Sequence, residues 1–322
     1  MAQFHSLNLD QLRRPWNELY LRSRISSPFS SPDWAENWWK HFGEGSTLHA
    51  GSVEEEGKVI GIAPLRLKEG ILRFIGSDNL FDFQDFIIEK GRDEVFYRTL
   101  FHHISETRAA KLDLGLLLPD SSVRRVLIPL AKERGLDVSC VQDDVTVSLD
   151  LPTDTAGYLA LLSAKQRHEL LRKERRLNEE GDVAYRVQDR ASDADTDLFL
   201  QFFRESREDK KRFLTPSIEL FMREIIGLSE ARGMLRLGIL ELNNTPIAAT
   251  LCFEYQDGIY LYNSGYSPAY RWLSAGLLSK YYSIRDSIMK GKTHYNFLKG
   301  AEKYKFHLGG KEDGLFRCII NF

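Results

Sequence analysis

One order of elements occurs twice in this chain, and that repetition restricts the possible folds more than any other feature. In the second half, Met234–Leu242 reads as a strand, Asn-Asn-Thr-Pro as a turn and Ile247–Tyr255 as the returning strand. Gln-Asp-Gly then turns the chain into a third strand, Ile259–Ser264. In the first half, Thr47–Val53, Val59–Leu67 and Ile71–Ile75 follow the same scheme, with Glu-Glu-Glu-Gly-Lys and Lys-Glu-Gly at the turns. Helical segments precede both meanders. Before the first are Asp10–Ser23 and Asp33–Phe42, the latter opened by Ser-Ser-Pro-Asp-Trp. Before the second are Thr196–Arg212 and Pro216–Arg232, with Thr215 as the N-cap and Gly233 as the stop. A helix and a further strand follow each meander: Asp93–Glu106 then Leu112–Leu117, and Ala275–Lys290 then His294–Leu298. The expectation is an α/β chain of two tandem units, residues 1–151 and 152–322. Each would be a mixed, mostly antiparallel sheet flanked by helices.

The net charge of −2 exerts no overall pull toward DNA or an anionic membrane. Cys140, Cys252 and Cys318 are odd in number, far apart and set in strand-like apolar runs, which predicts buried, reduced thiols. The amino terminus lacks the apolar stretch of a signal peptide, and no apolar run approaches the ~18 residues of a membrane span. A cytoplasmic globular protein is therefore expected.

Several segments carry candidate chemistry. At residues 265–280 a strand ends, a loop follows and a helix begins near Ser274. The N–H groups of a helix start suit phosphate, with Gly276 permitting close approach and Arg271 and Lys280 adding charge; Ser274 can equally be a plain N-cap. At residues 163–181, Ser163 and Gln166 form a capping-box pattern and Gly181 stops the helix. Six Lys/Arg against four Glu make this helix either a solvated face or an anion-attracting rim. In the first half, Asp78, Asp82 and Asp85 lie among aromatic residues, where a carboxylate can be set against a substrate amine or simply occupy a turn. Gly-x-Ser-x-Gly, His-Glu-x-x-His and Cys-x-x-Cys are absent, so neither serine hydrolysis nor a bound metal is expected.

Residues 295–310, Y-N-F-L-K-G-A-E-K-Y-K-F-H-L-G-G, end a strand in a loop dense with charged and phenolic groups. Together with Pro246–Tyr255 and the Gly265–Leu278 loop and helix, this stretch resembles the GNAT-like acyltransferases of the CelD/BioF2 type. These are relatives of the FemABX peptidyltransferases. The resemblance rests on Tyr295-Asn296-Phe297, Gly300, Glu302 and Tyr304-Lys305, and on F-S-S-P-D-W, W-W-K-H-F-G and G-I-A-P-L in the first half. It implies a tandem pair of GNAT-like domains. These would transfer an acyl group from acetyl-CoA or another acyl-CoA, without a metal, to the amine of a small molecule or amino sugar. Polysaccharide or cell-envelope metabolism is the implied setting.

The same resemblance identifies Arg271, Ser274, Ala275 and Gly276 as coenzyme-binding, and the charge of Lys280 at the helix start adds it to that set. Arg271-x-x-Ser274-x-Gly276 follows the Q/R-x-x-G-x-G/A frame with Ser in place of the first glycine. Asn296 stands where the pattern has an aspartate, which keeps a hydrogen bond and removes a charge. For catalysis the expectation is Lys305 stabilising negative charge, Tyr304 protonating the leaving group, and Glu302 or Asp85 as the base. Two other functions stay open: an aminoacyl-tRNA-dependent transferase of FemABX type, and a non-catalytic accessory protein of exopolysaccharide or cellulose biosynthesis.

Overall fold

The structure, a computed structural model, describes residues 1–23 and 27–322. The chain divides into two compact units, Met1–Val145 with Asp313–Phe322, and Thr146–Glu312. This differs from the expected division at 151/152 in one important respect. The last strand, Lys311–Asn321, pairs antiparallel with Lys111–Leu117, so the carboxyl-terminal residues belong to the first unit. Hydrogen bonding between strands remote in sequence decides this, and no local pattern announces it.

In the first unit, strands Gln3–Ser6, Gly51–Glu55, Lys58–Ala63 and Ile87–Ile88 form one antiparallel sheet. Thr47–Leu48, Leu65–Lys68 and Ile71–Phe74 belong to another, where Ile71–Phe74 runs parallel to Lys111–Leu117. The two long strands expected at 47–53 and 59–67 are each divided between these sheets. Pro64 lies at one division: it has no N–H for a ladder bond, so the strand re-forms at Leu65 with different partners. Phe74, Phe86, Phe96 and Tyr97 pack edge-on in the core beneath helix Asp93–Ser105.

The expectation of reduced, buried cysteines fails for two of the three. Cys140 and Cys318 are disulfide-bonded, and Cys140 is exposed. Spacing concealed the pair because 178 residues separate the two sulfurs in sequence. Cys252 is the free, buried thiol among the described residues.

The second unit orders its strands Val183–Gln188, Leu235–Leu242, Thr245–Tyr255, Gly258–Tyr266 and His294–Lys299, followed by residues 146–150. All neighbours are antiparallel except Gly258–Tyr266 and His294–Lys299. Helix Ala275–Met289 connects these two, as Asp93–Ser105 connects the parallel pair of the first unit. The sequence repeat is therefore a repeated strand–helix–strand connection between parallel neighbours. The expected helix Thr196–Arg212 is two helices, Asp193–Ser206 and Glu208–Phe213, broken where Arg207 adopts an extended backbone. Pro216–Ala231 begins as expected, with Thr215 Oγ1 accepting from Ile218 N–H.

Candidate active site

The parallel pairing in the second unit is short. Gly258–Tyr260 pairs with His294–Asn296, yet one strand continues to Tyr266 and the other to Lys299. Beyond Tyr260 and Asn296 the ladder between them stops, although each strand stays paired on its other edge, and polar side chains gather where the two part.

At the end of His294–Lys299 the backbone leaves strand geometry. Leu298 takes φ 65°, a left-handed conformation that costs a branched side chain on the order of 1–2 kcal/mol. Its N–H donates to Asn296 Oδ1 at 2.7 Å. Asn296 thus supplies the acceptor that the expected aspartate would have supplied, without its charge. Lys305, from the short helix Lys303–His307, is buried and donates to the carbonyls of Leu298, Lys299 and Gly300 at 2.9, 2.5 and 2.9 Å. Glu302 Oε2 lies 2.9 Å from the same Nζ. The three N–H donors of one ammonium are thus shared among four acceptors, which holds the loop in its strained course.

At the end of Gly258–Tyr266, Lys210 Nζ donates to Ser264 O at 2.5 Å and lies 4.6 Å from the centre of the Phe203 ring. Gly265 makes this approach possible. A Cβ there would stand 2.2 Å from the Phe202 carbonyl carbon, so only glycine lets the Asp193–Ser206 helix cross so near the strand. Burial, then the nearby Arg207 charge, lowers the Lys210 pKa to about 8.

Lys280 completes the cluster. It is buried on helix Ala275–Met289, donates to Gly276 O at 2.6 Å and lies 4.8 Å from the Tyr304 ring centre. Burial first, then repulsion from Lys210, lowers its pKa to about 7; Lys305 repels it further and Glu302 attracts it. Three lysine side chains therefore share the influence of Glu302, with Asp209 acting on Lys210 as well. Such a low-dielectric concentration of positive charge suits an anionic group.

A hollow of 440 Å³ opens in the same unit, lined by Ser163, Lys165, Lys173, Leu277, His307 and Leu308 among others. It brings together the start of helix Ala164–Glu179, the first turn of Ala275–Met289 and the end of Lys303–His307. The capping box is present as expected, and Gln166 Nε2 additionally donates to Phe306 O at 2.9 Å. Hydrogen bonds from Arg172 and then Lys173 lower the Glu169 pKa to about 2, so the rim keeps that carboxylate ionised.

The structure thus brings Lys280, Glu302, Tyr304 and Lys305 together and places Ser274, Ala275 and Gly276 at the head of the helix bearing Lys280. Ser274 is left-handed, with φ 60°, and its side chain makes no capping bond. Gly276 makes room for a protein ring: a Cβ would lie 2.7 Å from Tyr266 Cδ1. Arg271 is exposed on the turn Pro268–Leu273. Asp85 belongs to the first unit, where burial raises its pKa to about 7 and Phe86 N–H donates to Oδ1 at 2.8 Å. Lys210 had no sequence signal, because Glu-Asp-Lys-Lys-Arg reads as a solvated run. Gly265 is a weak local hint, since it marks a close backbone crossing.

Residues 164–306 match the family described as the acetyltransferase (GNAT) domain. This segment is a GNAT domain. The match contains the lysine cluster and six of the nine residues lining the hollow. Over the whole chain, the fold is that of FemX, with a TM-score of 0.65 at 12% identity, covering 98% of this chain and 96% of that one. It is also that of the C-terminal domain of a putative lysylphosphatidylglycerol synthetase from Agrobacterium fabrum. There the TM-score is 0.61 at 12% identity, with 97% and 92% of the two chains covered. A tandem GNAT protein from the clavulanic acid biosynthesis pathway gives 0.54 at 14%, covering 99% and 98%. At these identities the shared property is the fold: two GNAT-like units in tandem. No curated protein matches the sequence.

Proposed function

We propose that the GNAT domain is an N-acyltransferase that moves an acyl group from acyl-CoA to the amine of a small molecule or amino sugar. The observation carrying this reading is the Lys210–Lys280 pair, two desolvated lysine side chains beside the opening turn of a helix and at the strand end that parts from its parallel neighbour. An acyl-CoA brings phosphates that such groups can hold, and the donor set fits. Lys280 and Lys210 supply charge, while Lys165, Lys173 and His307 provide a basic rim to the hollow. Bound coenzyme A would present its acyl group as a thioester.

In the reaction, the acceptor nitrogen forms a bond to the carbonyl carbon and the carbon–sulfur bond breaks. The amine proton passes to a base and the thiolate takes up a proton. Glu302, half-exposed beside Lys305, is the base in this scheme, and Tyr304 protonates the leaving sulfur. Lys305 acts as a positioning residue, because its donors already hold the loop that carries Glu302. Asp85, in the first unit, is the other carboxylate whose replacement should be assayed.

The test is calorimetric titration of acetyl-CoA at pH 8 in two buffers of different ionisation enthalpy. Binding of an anion beside Lys280 raises its pKa, so proton uptake is expected, together with a thermal shift. Roughly 2.7 kcal/mol of stabilisation should appear at one hundred times Kd. Absence of binding removes acyl-CoA as the donor. The FemX-like fold supports a second reading, an aminoacyl-tRNA-dependent transferase using the same lysines on RNA phosphates. Binding of aminoacyl-tRNA, but not acetyl-CoA, in the same titration would favour it.

A further inference from the structure

The first unit contains a second charged cleft that the acyl-transfer reading does not use. Its volume is 390 Å³, and Arg66, Arg73, Ser77, Asp78, Asp113 and Arg317 are among the residues lining it. Asp113 bridges two of the arginines, accepting from Arg73 Nε at 3.0 Å and Arg317 Nη1 at 2.9 Å. Arg317 also meets Asp143 Oδ2 at 3.1 Å and pairs with Asp78. Both carboxylates of the cleft are therefore engaged by Arg73 and Arg317.

Arg66 is different. It makes no ion pair among the described residues, and its side-chain hydrogen bond is long, 3.4 Å from Nη2 to Gly76 O. Its Nε is sealed from solvent and meets no hydrogen-bond partner among the described residues. The guanidinium carbon lies 5.0 Å from the centre of the Trp38 ring, a position consistent with cation–π attraction. Trp38 is itself held by its indole N–H, which donates to Ser77 Oγ at 3.3 Å. Burial, then repulsion from Arg73, disfavours the charged form of Arg66, and attraction by Asp78 offsets this only in part, so a further anion would relieve the remaining cost.

We propose that this cleft binds the carboxylate of a small organic acid, with Arg66 as the residue that grips it. Two features select the chemistry. Arg73 and Arg317 are engaged by Asp78, Asp113 and Asp143, which leaves Arg66 as the one guanidinium of the lining without an ion pair among the described residues, and a single such cation matches a monoanion. A phosphate dianion would exceed that charge and would face Asp78 and Asp113. A guanidinium presents parallel N–H donors at the spacing of carboxylate oxygens, and the Trp38 contact limits the reorientation needed to use them.

The test follows arginine Nε–Hε signals by NMR in the full chain while N-acetylglycine is added. N-acetylglycinamide serves as the neutral control and methyl phosphate as the competing oxyanion. Saturable movement of one arginine signal by N-acetylglycine, missing with the amide and lost in Arg66→Gln, supports the proposal. A second variant, Asn79→Asp, adds a negative charge at an exposed lining position without disturbing the core. It should weaken N-acetylglycine binding about tenfold, because the added carboxylate repels the bound one across a few ångströms. The proposal is overturned by no response in the native chain, by an equal response to the amide, or by stronger binding of methyl phosphate. Unchanged affinity in folded Arg66→Gln or in Asn79→Asp overturns it equally.

Discussion

The Leu298 carbonyl accepts a hydrogen bond from Lys305 Nζ at 2.9 Å, and Leu298 itself is left-handed at φ 65°. A buried cation and a strained backbone therefore stabilise each other where the last strand of the second unit ends. The loop bearing Glu302 takes its course from this pair.

Lys305→Met should accordingly act first on folding. It removes a buried charge that serves four acceptors and leaves the three loop carbonyls without their shared donor. A loss of about 3 kcal/mol is expected from urea unfolding, in the range for breaking a buried pair. Lys305→Arg should not restore it, since a planar guanidinium cannot direct its donors at the same carbonyls. Stability within about 0.5 kcal/mol of the native chain, the usual margin for an inert surface change, would show that the clamp is dispensable.

Lys280 predicts a pH dependence with a definite sign. Its folded pKa of about 7 lies below the ordinary 10.5. Between these values the unfolded chain holds a proton that the folded chain has released, so stability rises with pH across that window. Below about pH 7 both states are protonated and the burial penalty is fully felt. Lys280→Met should therefore raise the melting temperature at pH 6 and flatten the rise from pH 7 to 10. Lys210, at about 8, would account for the residual slope. Identical profiles for the variant and the native chain would place Lys280 in water.

Ser274 occupies the first glycine position of the coenzyme-loop frame, yet its backbone is left-handed at φ 60° and its hydroxyl caps nothing. Ser274→Gly should stabilise the chain by about 1 kcal/mol, because glycine adopts that conformation without the Cβ penalty. Thermal unfolding measures it, and a destabilised variant would mean that the hydroxyl makes a contact worth more than the strain.

How much of this was legible beforehand depends on the range of the interaction. Residues 163–166 announced a capping box, Thr215 and Pro216 a helix start, and both occur, because each joins atoms three or four residues apart. Lys280 could be singled out from the helix start around it, and Glu302, Tyr304 and Lys305 from the family resemblance of the final loop. Their division of labour could not, since Lys305 proves to be saturated by carbonyls that only the bend at Leu298 turns toward it.

The sequence alone determined the alternation of strands and helices, the doubled meander and the composition of the final loop. Those properties follow from periodicity, turn chemistry and caps, which act locally. Tertiary structure decided which unit receives the last strand, that Cys140 meets Cys318, that Lys210 faces Glu302, and that Arg66 lies over the Trp38 ring. These depend on which surfaces bury one another, and burial sets both the strength of a charge and the partner it finds.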